Sequence, residues 1–392
     1  MPSPYLSENM RLRVLHLFSN YRWTGPAEPA VNLCTALSRL GVEVILGAGA
    51  DPRPDSSGVR GMARSRGLTV IEDLRLGKHR HPLWTLLDTW RLCRMLREIK
   101  PDVVHCHLDN AHAIAVAAAQ GLPVPIVRSS YYGDGMPDGR RYRALLRLTT
   151  RLLEPSRAAL ERDRRQFGLE PDRLVWIDPA VDTERFSPDR VNRAAARERL
   201  GLPPDTVAAG IVARMQPYRH FDDLFDAVQL IARMNLPFRL VVIGRGTRQE
   251  QVGYEAVRSR NLEQWVLFPG YQRGENYVAV LSALDIGMLL VPGTDGTCRA
   301  VREMMAMGLP MAVADRGMLG ELVTHELDGL VCSGTPESLA SSLIRLITEP
   351  GLREALGARA RRTALERFAL DTQARRVLAV YRELRECPNA IT

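Results

Sequence analysis

The chain has 392 residues, longer than one hydrophobic core usually supports, so two domains of somewhat under 200 residues each are expected. Apolar residues make up 45% and charged residues 25%, which excludes extended disorder, and no run of about 18 apolar residues marks a membrane-spanning helix. The net charge is +8 and rests almost wholly on arginine, since Lys78 and Lys100 are the only lysines; such a balance favours anionic partners. No nucleic-acid motif accompanies it, so nucleotide diphosphates and anionic lipid surfaces lead.

The N-terminus lacks the basic, apolar and small-residue succession of an export signal, and a cytoplasmic location is expected. Six scattered cysteines with no CxxC pair read as reduced, buried small hydrophobes.

In chain order, residues 12–18 (LRVLHLF) read as a buried strand, followed by a loop through Gly25 and a helix on which Val31, Cys34, Leu37 and Leu40 recur at helical spacing. Pro26 suits the first helical turn, Gly41 ends the helix, and residues 42–46 form the next strand. The alternation repeats with strand 102–105, a helix over 111–119 and strand 125–128. Residues 177–192, with Pro179 and Pro188, read as a hinge.

The pattern then restarts with strand 207–213, a helix carrying Phe221, Leu224, Phe225, Val228 and Ile231, and strands 238–243, 266–268, 286–290 and 311–314. Residues 369–386 form an amphipathic terminal helix expected to pack on the body of the protein. Such repetition predicts an α/β protein with two parallel sheets covered by helices. The boundaries drawn are 1–186, 187–366 and a terminal helix over 367–392 packing back on the N-terminal domain.

Ligands of such sheets bind beyond the carboxyl ends of the strands. There, Arg214 and Arg219 precede a helix, an arrangement suited to a diphosphate leaving group. Solvated surface arginines are the plainer alternative in so arginine-rich a chain. Asp295 lies in a loop with Gly296 and Thr297, and Glu303 lies two turns into the next helix, so the pair can hold sugar and ribose hydroxyls; a helix-terminal charge and a solvent-facing glutamate are the alternative.

His105 and His107 share a face at the end of the strand DVVH; a metal site with His112 is weighed against ordinary buried histidines and set aside. Gly25 can let a phosphate or sugar approach the backbone. Nine arginines over 140–165, among Leu145, Leu146, Leu148, Leu152 and Leu153, read either as a solvated helical face or as a basic face for anionic lipid or acceptor.

In order, these motifs resemble the retaining glycosyltransferases of family 4 over nearly the whole chain. The carrying segments are Gly25-Pro26-Ala27-Glu28, PDVVHCH ending at His107, the linker Val181-Asp182-Thr183-Glu184-Arg185-Phe186-Ser187-Pro188, Arg214 with Arg219, Asp295 with Glu303, EMMAMGLP over 303–310, and Gly317 with Glu321. The departures are Arg219 for lysine, His220 for the glycine after it, Pro26 in the first loop, and Asp295 for glutamate.

The resemblance implies the GT-B fold, two Rossmann-like domains facing each other across a cleft, and sugar transfer with retention from a nucleotide-sugar in cell-envelope glycan synthesis. It implies His107, Asp295, Arg214 and Arg219 as catalytic residues. The donor would be held by Gly25, Arg214, Arg219, Gly244, Gly270, Tyr271, Asp295, Gly296, Thr297 and Glu303, with no metal and no cofactor beyond the nucleotide-sugar co-substrate. Partners would be a glycan or lipid-linked acceptor and, peripherally, an anionic membrane; nucleic acid is not among them. A nucleotide-sugar epimerase and a non-catalytic relative are the rival readings.

Overall fold

The computed structural model describes residues 11–51, 57–292 and 298–386. Two compact units divide the chain: residues 1–178 with 370–392, and residues 179–369.

The first unit alternates strands and helices: β1 (Arg13–Phe18), α1 (Ala27–Arg39), β2 (Glu43–Ala48), α2 (Val59–Arg64), β3 (Thr69–Ile71), α3 (Pro82–Ile99), β4 (Val103–Cys106), α4 (Asp109–Ala118), β5 (Ile126–Ser129), α5 (Arg140–Arg147), β6 (Arg151–Glu154), α6 (Arg157–Phe167) and β7 (Leu174–Trp176). The sheet is parallel throughout, in the order β3-β2-β1-β4-β5-β6-β7. Strand direction of connection reverses between β1 and β4, which is where such sheets place their ligands. Buried on both faces, β1 and β4 read as apolar runs rather than alternations.

The second unit repeats the plan with α7 (Arg193–Arg199), β8 (Val207–Val212), α8 (Phe221–Ala232), β9 (Phe238–Ile243), a π turn over Glu250–Glu255 running into α9 (Ala256–Arg258), β10 (Val266–Gly270), α10 (Gly274–Ser282), β11 (Ile286–Leu289), α11 (Arg299–Ala306), β12 (Met311–Ala314), α12 (Leu319–Leu322), β13 (Gly329–Cys332), α13 (Pro336–Thr348) and α14 (Pro350–Arg367). Its parallel sheet runs β10-β9-β8-β11-β12-β13, with the reversal between β8 and β11. One apolar cluster from Val181 to Phe368 forms its core.

The terminal helix α15 (Leu370–Glu386) belongs to the first unit, where Ala374, Val377, Leu378, Tyr381 and Leu384 join the core of β1, α1 and β2. Arg376 holds the buried Asp178 at 3.0 Å, and Arg151 reaches Glu383 at 2.6 Å, so the helix is tied at both ends of its length.

The arginine-rich stretch 140–165 is not one helical face. It is α5, the buried strand β6 and α6 in succession, and Leu152 and Leu153 are core residues of β6 while Leu146 is buried under α5. Helical periodicity misleads there because the strand is four residues long and sits between two helices.

Candidate active site

In the second unit the candidate residues gather at the carboxyl ends of the strands. Arg214, two residues beyond β8, is exposed and has no hydrogen-bond or ion-pair partner among the described residues. The Gly244-Arg245-Gly246 loop after β9 lies directly against it: a Cβ on Gly244 would stand 2.1 Å from the Ala213 carbonyl oxygen, and one on Gly246 2.0 Å from that of Met215. Gly244 also adopts a φ of +151°, so both its conformation and its neighbour exclude a side chain. Gln216 ties the two loops through a 3.0 Å bond to Thr247 Oγ1.

Gly270 ends β10 and accepts the Gly244 amide at 3.1 Å, which places the third loop beside the second. Next to it Tyr271 is half exposed, with the guanidiniums of Arg245 and Arg273 at 4.7 and 4.9 Å from its ring centroid. An aromatic face flanked by cations offers stacking and positive charge at one point.

Arg219 behaves differently from Arg214. It is buried, and its Nη1 donates to the carbonyls of Val291 (2.9 Å) and Pro292 (2.6 Å), holding the chain as it leaves β11. Its Nε hydrogen is buried without a partner among the described residues. His220, where the family pattern has glycine, takes a left-handed conformation with φ of +58°, which explains the glycine. The positive end of α8 that follows is already matched by carboxylates of its own first turn, Asp223 paired to His220 at 2.7 Å and Asp222 to Arg260 at 3.1 Å.

Glu303 is buried in α11, where its Oε1 accepts from Arg299 Nε and its Oε2 from the Tyr277 hydroxyl, each at 2.7 Å. Burial, and then the Glu303 carboxylate, hold the Tyr277 phenol well above its ordinary range, so it stays a donor. A carboxylate fixed from two sides still offers lone pairs to a diol. Asp295, Gly296 and Thr297 lie outside the described residues.

In the first unit Gly25 is exposed in the turn before α1, and His107 follows β4. His107 is fully buried; its Nε2 meets His16 Nδ1 at 2.9 Å and its Nδ1 meets the Tyr131 hydroxyl at 2.8 Å. The ring of His105 stacks on it at 4.5 Å and bonds to Ser129 Oγ at 2.8 Å and to the Tyr381 hydroxyl. Burial, reinforced for His105 and His107 by neighbouring cationic groups, pushes these rings far below the usual imidazole range, and His16 to about 3. They are therefore neutral, able to accept or donate but not to carry charge.

His112 is not part of this group, since it faces Thr149 Oγ1 at 2.7 Å. Among the described residues, the set with metal-ligating geometry is His16, Cys34 and His107, whose ligand atoms lie within 4.8 Å of one another. Sequence reasoning passed over His16, Tyr131, Tyr277, Arg299 and Tyr381. Only the pairing of His16 with His105 across β1 and β4 had a signal, the matched strands LRVLHLF and DVVHCH.

Two family models cover the chain in succession, Glycosyltransferase Family 4 over residues 25–185 and Glycosyl transferases group 1 over residues 192–363. A D-inositol 3-phosphate glycosyltransferase of Saccharomonospora viridis is 30% identical over 316 residues, 72% of this chain and 70% of that protein. The chain belongs to glycosyltransferase family 4. The namesake of Rhodococcus jostii is 33% identical over 56% of this chain, a match that spans 49% of the relative's own length.

Among solved structures, a glycosyltransferase of Rickettsia africae superposes with a TM-score of 0.81 at 15% identity, covering 96% of this chain and 99% of that one. Anabaena HepE in complex with UDP gives 0.76 at 17% identity, over 95% of this chain and 100% of that one. With the two parallel sheets, these establish the GT-B architecture; the family models and the Saccharomonospora relative make the enzyme a glycosyltransferase.

Proposed function

We propose that the enzyme moves a sugar from a nucleoside-diphosphate sugar to an acceptor hydroxyl with retention of anomeric configuration, in polysaccharide, lipopolysaccharide or glycolipid synthesis. The observation that carries the reading is the exposed Arg214 at the carboxyl end of β8, held against the loop Gly244-Arg245-Gly246, whose two glycines pack directly on the Ala213 and Met215 carbonyls. A diphosphate suits such a place, where an unpartnered guanidinium fork stands at the carboxyl end of the sheet.

In this reading the base stacks near Gly270 and Tyr271, Glu303 accepts from ribose hydroxyls, and Arg214 and Arg219 stabilise the departing diphosphate. Asp295, Gly296 and Thr297 hold the sugar. His107, with Gly25, serves on the side of the first unit. Guanidinium charge does the work that a metal ion does elsewhere, so neither metal nor other cofactor enters the scheme. Support for the donor class comes from HepE, solved with UDP-glucose. The name shared by the relatives favours, as a second acceptor class, a phosphorylated polyol.

No helix among the described residues is long and apolar enough to cross a membrane. We place the enzyme in the cytoplasm, in peripheral contact with an anionic membrane that presents lipid-linked acceptor. The experiment is turnover with UDP-, GDP-, ADP- and dTDP-sugars against polyol-phosphate and lipid-linked acceptors, reading nucleoside diphosphate release and the anomeric proton coupling of the product. Release that depends on acceptor, with donor configuration kept in the product, supports the reading; an inverted product overturns retention, and isomerised donor without transfer overturns the reaction.

A further inference from the structure

Helix α3 presents two unlike faces. Leu92, Leu96 and Asp88 are buried, the leucines in the core beside β1 and β4 and the carboxylate accepting the backbone amides of Arg75 and Leu76. The opposite face carries Leu83, Leu86 and Trp90, which are 71%, 70% and 59% exposed. At 100° per residue these three, with Arg94 and Arg97, fall in a band about 80° wide. Large apolar side chains so far exposed, side by side, mark an interaction surface.

The surroundings of that band are cationic. Between Arg75 and Arg97 there are six cations, Arg75, Lys78, Arg80, Arg91, Arg94 and Arg97, against one carboxylate, the buried Asp88. Both lysines of the chain flank this helix, in a protein that otherwise uses arginine alone. Residues 77–84, which lead into it, are exposed without a break. Trp84 stacks under Arg75 at 3.4 Å, and Arg94 lies over Trp90 at 5.6 Å. Glu98 pairs with Arg94 and Glu72 with Arg64, while Asp73 gives its backbone carbonyl to Arg91, so Arg75, Lys78, Arg80, Arg91 and Arg97 still outnumber the acidic groups beside them.

We infer that this face of α3 is a docking surface for an anionic phospholipid bilayer, with Leu83, Leu86, Trp84 and Trp90 entering the headgroup region and the surrounding cations meeting lipid phosphates. The inference rests on the reading of the enzyme as a peripheral membrane protein and locates the contact. Tryptophan at the apolar-polar boundary, leucine beneath it and basic residues around it are what interfacial helices require. Each cation near an anionic surface strengthens that attraction. A second copy of the chain is disfavoured on the same face by like charge. The arginine-rich stretch 140–165 is the poorer surface, because Leu146, Leu152 and Leu153 are buried and Leu148 is its single exposed leucine, against three large apolar side chains together on α3.

The test is sedimentation of the full chain with vesicles of phosphatidylcholine alone and of phosphatidylcholine with 30% (about one lipid in three) phosphatidylglycerol, at low and high salt. Three proteins are compared: wild type, the Leu83→Ser/Leu86→Ser/Trp90→Ser variant, and an Arg140→Gln/Arg141→Gln/Arg147→Gln variant. Because the three apolar residues are solvent-exposed, the first variant should keep its circular dichroism and its turnover of soluble acceptor. Salt-sensitive binding to anionic vesicles, lost at least tenfold in the α3 variant and kept in the α5 variant, is the expected result. Binding unchanged in the α3 variant overturns the surface while leaving the peripheral reading intact. Absence of wild-type binding overturns both, and leaves transfer to soluble acceptors untouched. Loss of binding in the α5 variant alone assigns the contact to α5 and also overturns the inference.

Discussion

Gly246 approaches Met215 so closely that a Cβ on it would stand 2.0 Å from the Met215 carbonyl oxygen. The contact welds the loop after β9 to the loop after β8, which carries Arg214. Gly246→Ala must push the two loops apart, at about 1–3 kcal/mol as for other overpacked sites, and donor affinity should fall at least tenfold. Gly351→Ala, in the open first turn of α14, should be neutral or stabilising by up to about 1 kcal/mol. Urea unfolding and calorimetric titration with donor read both; a Gly246→Ala protein that matches wild type would contradict the loop contact.

His220 holds a left-handed conformation that glycine adopts freely. His220→Gly is expected to change stability by less than about 1 kcal/mol, strain relief offsetting the lost bond to Asp223, whereas His220→Val should cost about 1–2 kcal/mol. Thermal unfolding of the three proteins gives the order directly.

Tyr277 and Arg299 hold the two oxygens of Glu303. Tyr277→Phe removes one bond to a buried carboxylate and should destabilise by about 1.5–3 kcal/mol. In the proposed mechanism it also loosens the ribose contact, so the donor KM should rise several-fold with a smaller change in kcat. A kcat loss at constant KM would argue against that role.

Acid should unfold the first unit through its histidines. His16, His105, His107 and His112 have folded pKa values depressed by burial, so they stay neutral in the fold while the unfolded chain takes up protons near pH 6.5. Their contribution is complete above pH 6.5 and is lost as pH falls below it, each ring costing up to about 1.4 kcal/mol per pH unit. Glu154 works in the opposite sense, since burial and Asp163 raise its pKa and its proton favours the fold as pH falls towards 4.5. Asp163 and Asp328, also raised by burial, act in the same sense as Glu154; four rings outweigh three carboxyls, so unfolding free energy should drop between pH 6.5 and 5. Flat stability across that window, measured by urea titration, would refute the neutral-ring assignment.

The strand-loop-helix alternation was legible because parallel strands buried on both faces read as unbroken apolar runs; residues 238–243 and 311–314 are strands with the bounds read from sequence. Strands β3, β6, β7 and β13 escaped; β6 lies between two arginine-rich helices whose leucines continue its own apolar pair. At the site, Arg214, Gly244, Gly270 and Tyr271 sit at or just beyond the carboxyl ends of adjacent strands β8, β9 and β10, with Gly244 bonded to Gly270. What holds them was not legible. Tyr277 reaches Glu303 from another helix, and Arg219 turns out to brace the backbone at Val291 and Pro292, relations that depend on tertiary packing. The buried partners of His107 come from β1 and the loop after β5, and α15 reaches the His105 ring stacked on it, for the same reason.

The measurement that bears most directly on the central claim is calorimetric titration of wild type, Arg214→Ala and Glu303→Ala with UDP-, GDP-, ADP- and dTDP-sugars, with folding of each variant checked by circular dichroism. One nucleotide-sugar is expected to bind the wild type selectively, and each folded variant is expected to lose at least tenfold in affinity. Wild type that binds none of the four, or folded variants that bind as tightly as wild type, would contradict the assignment of this site to the donor.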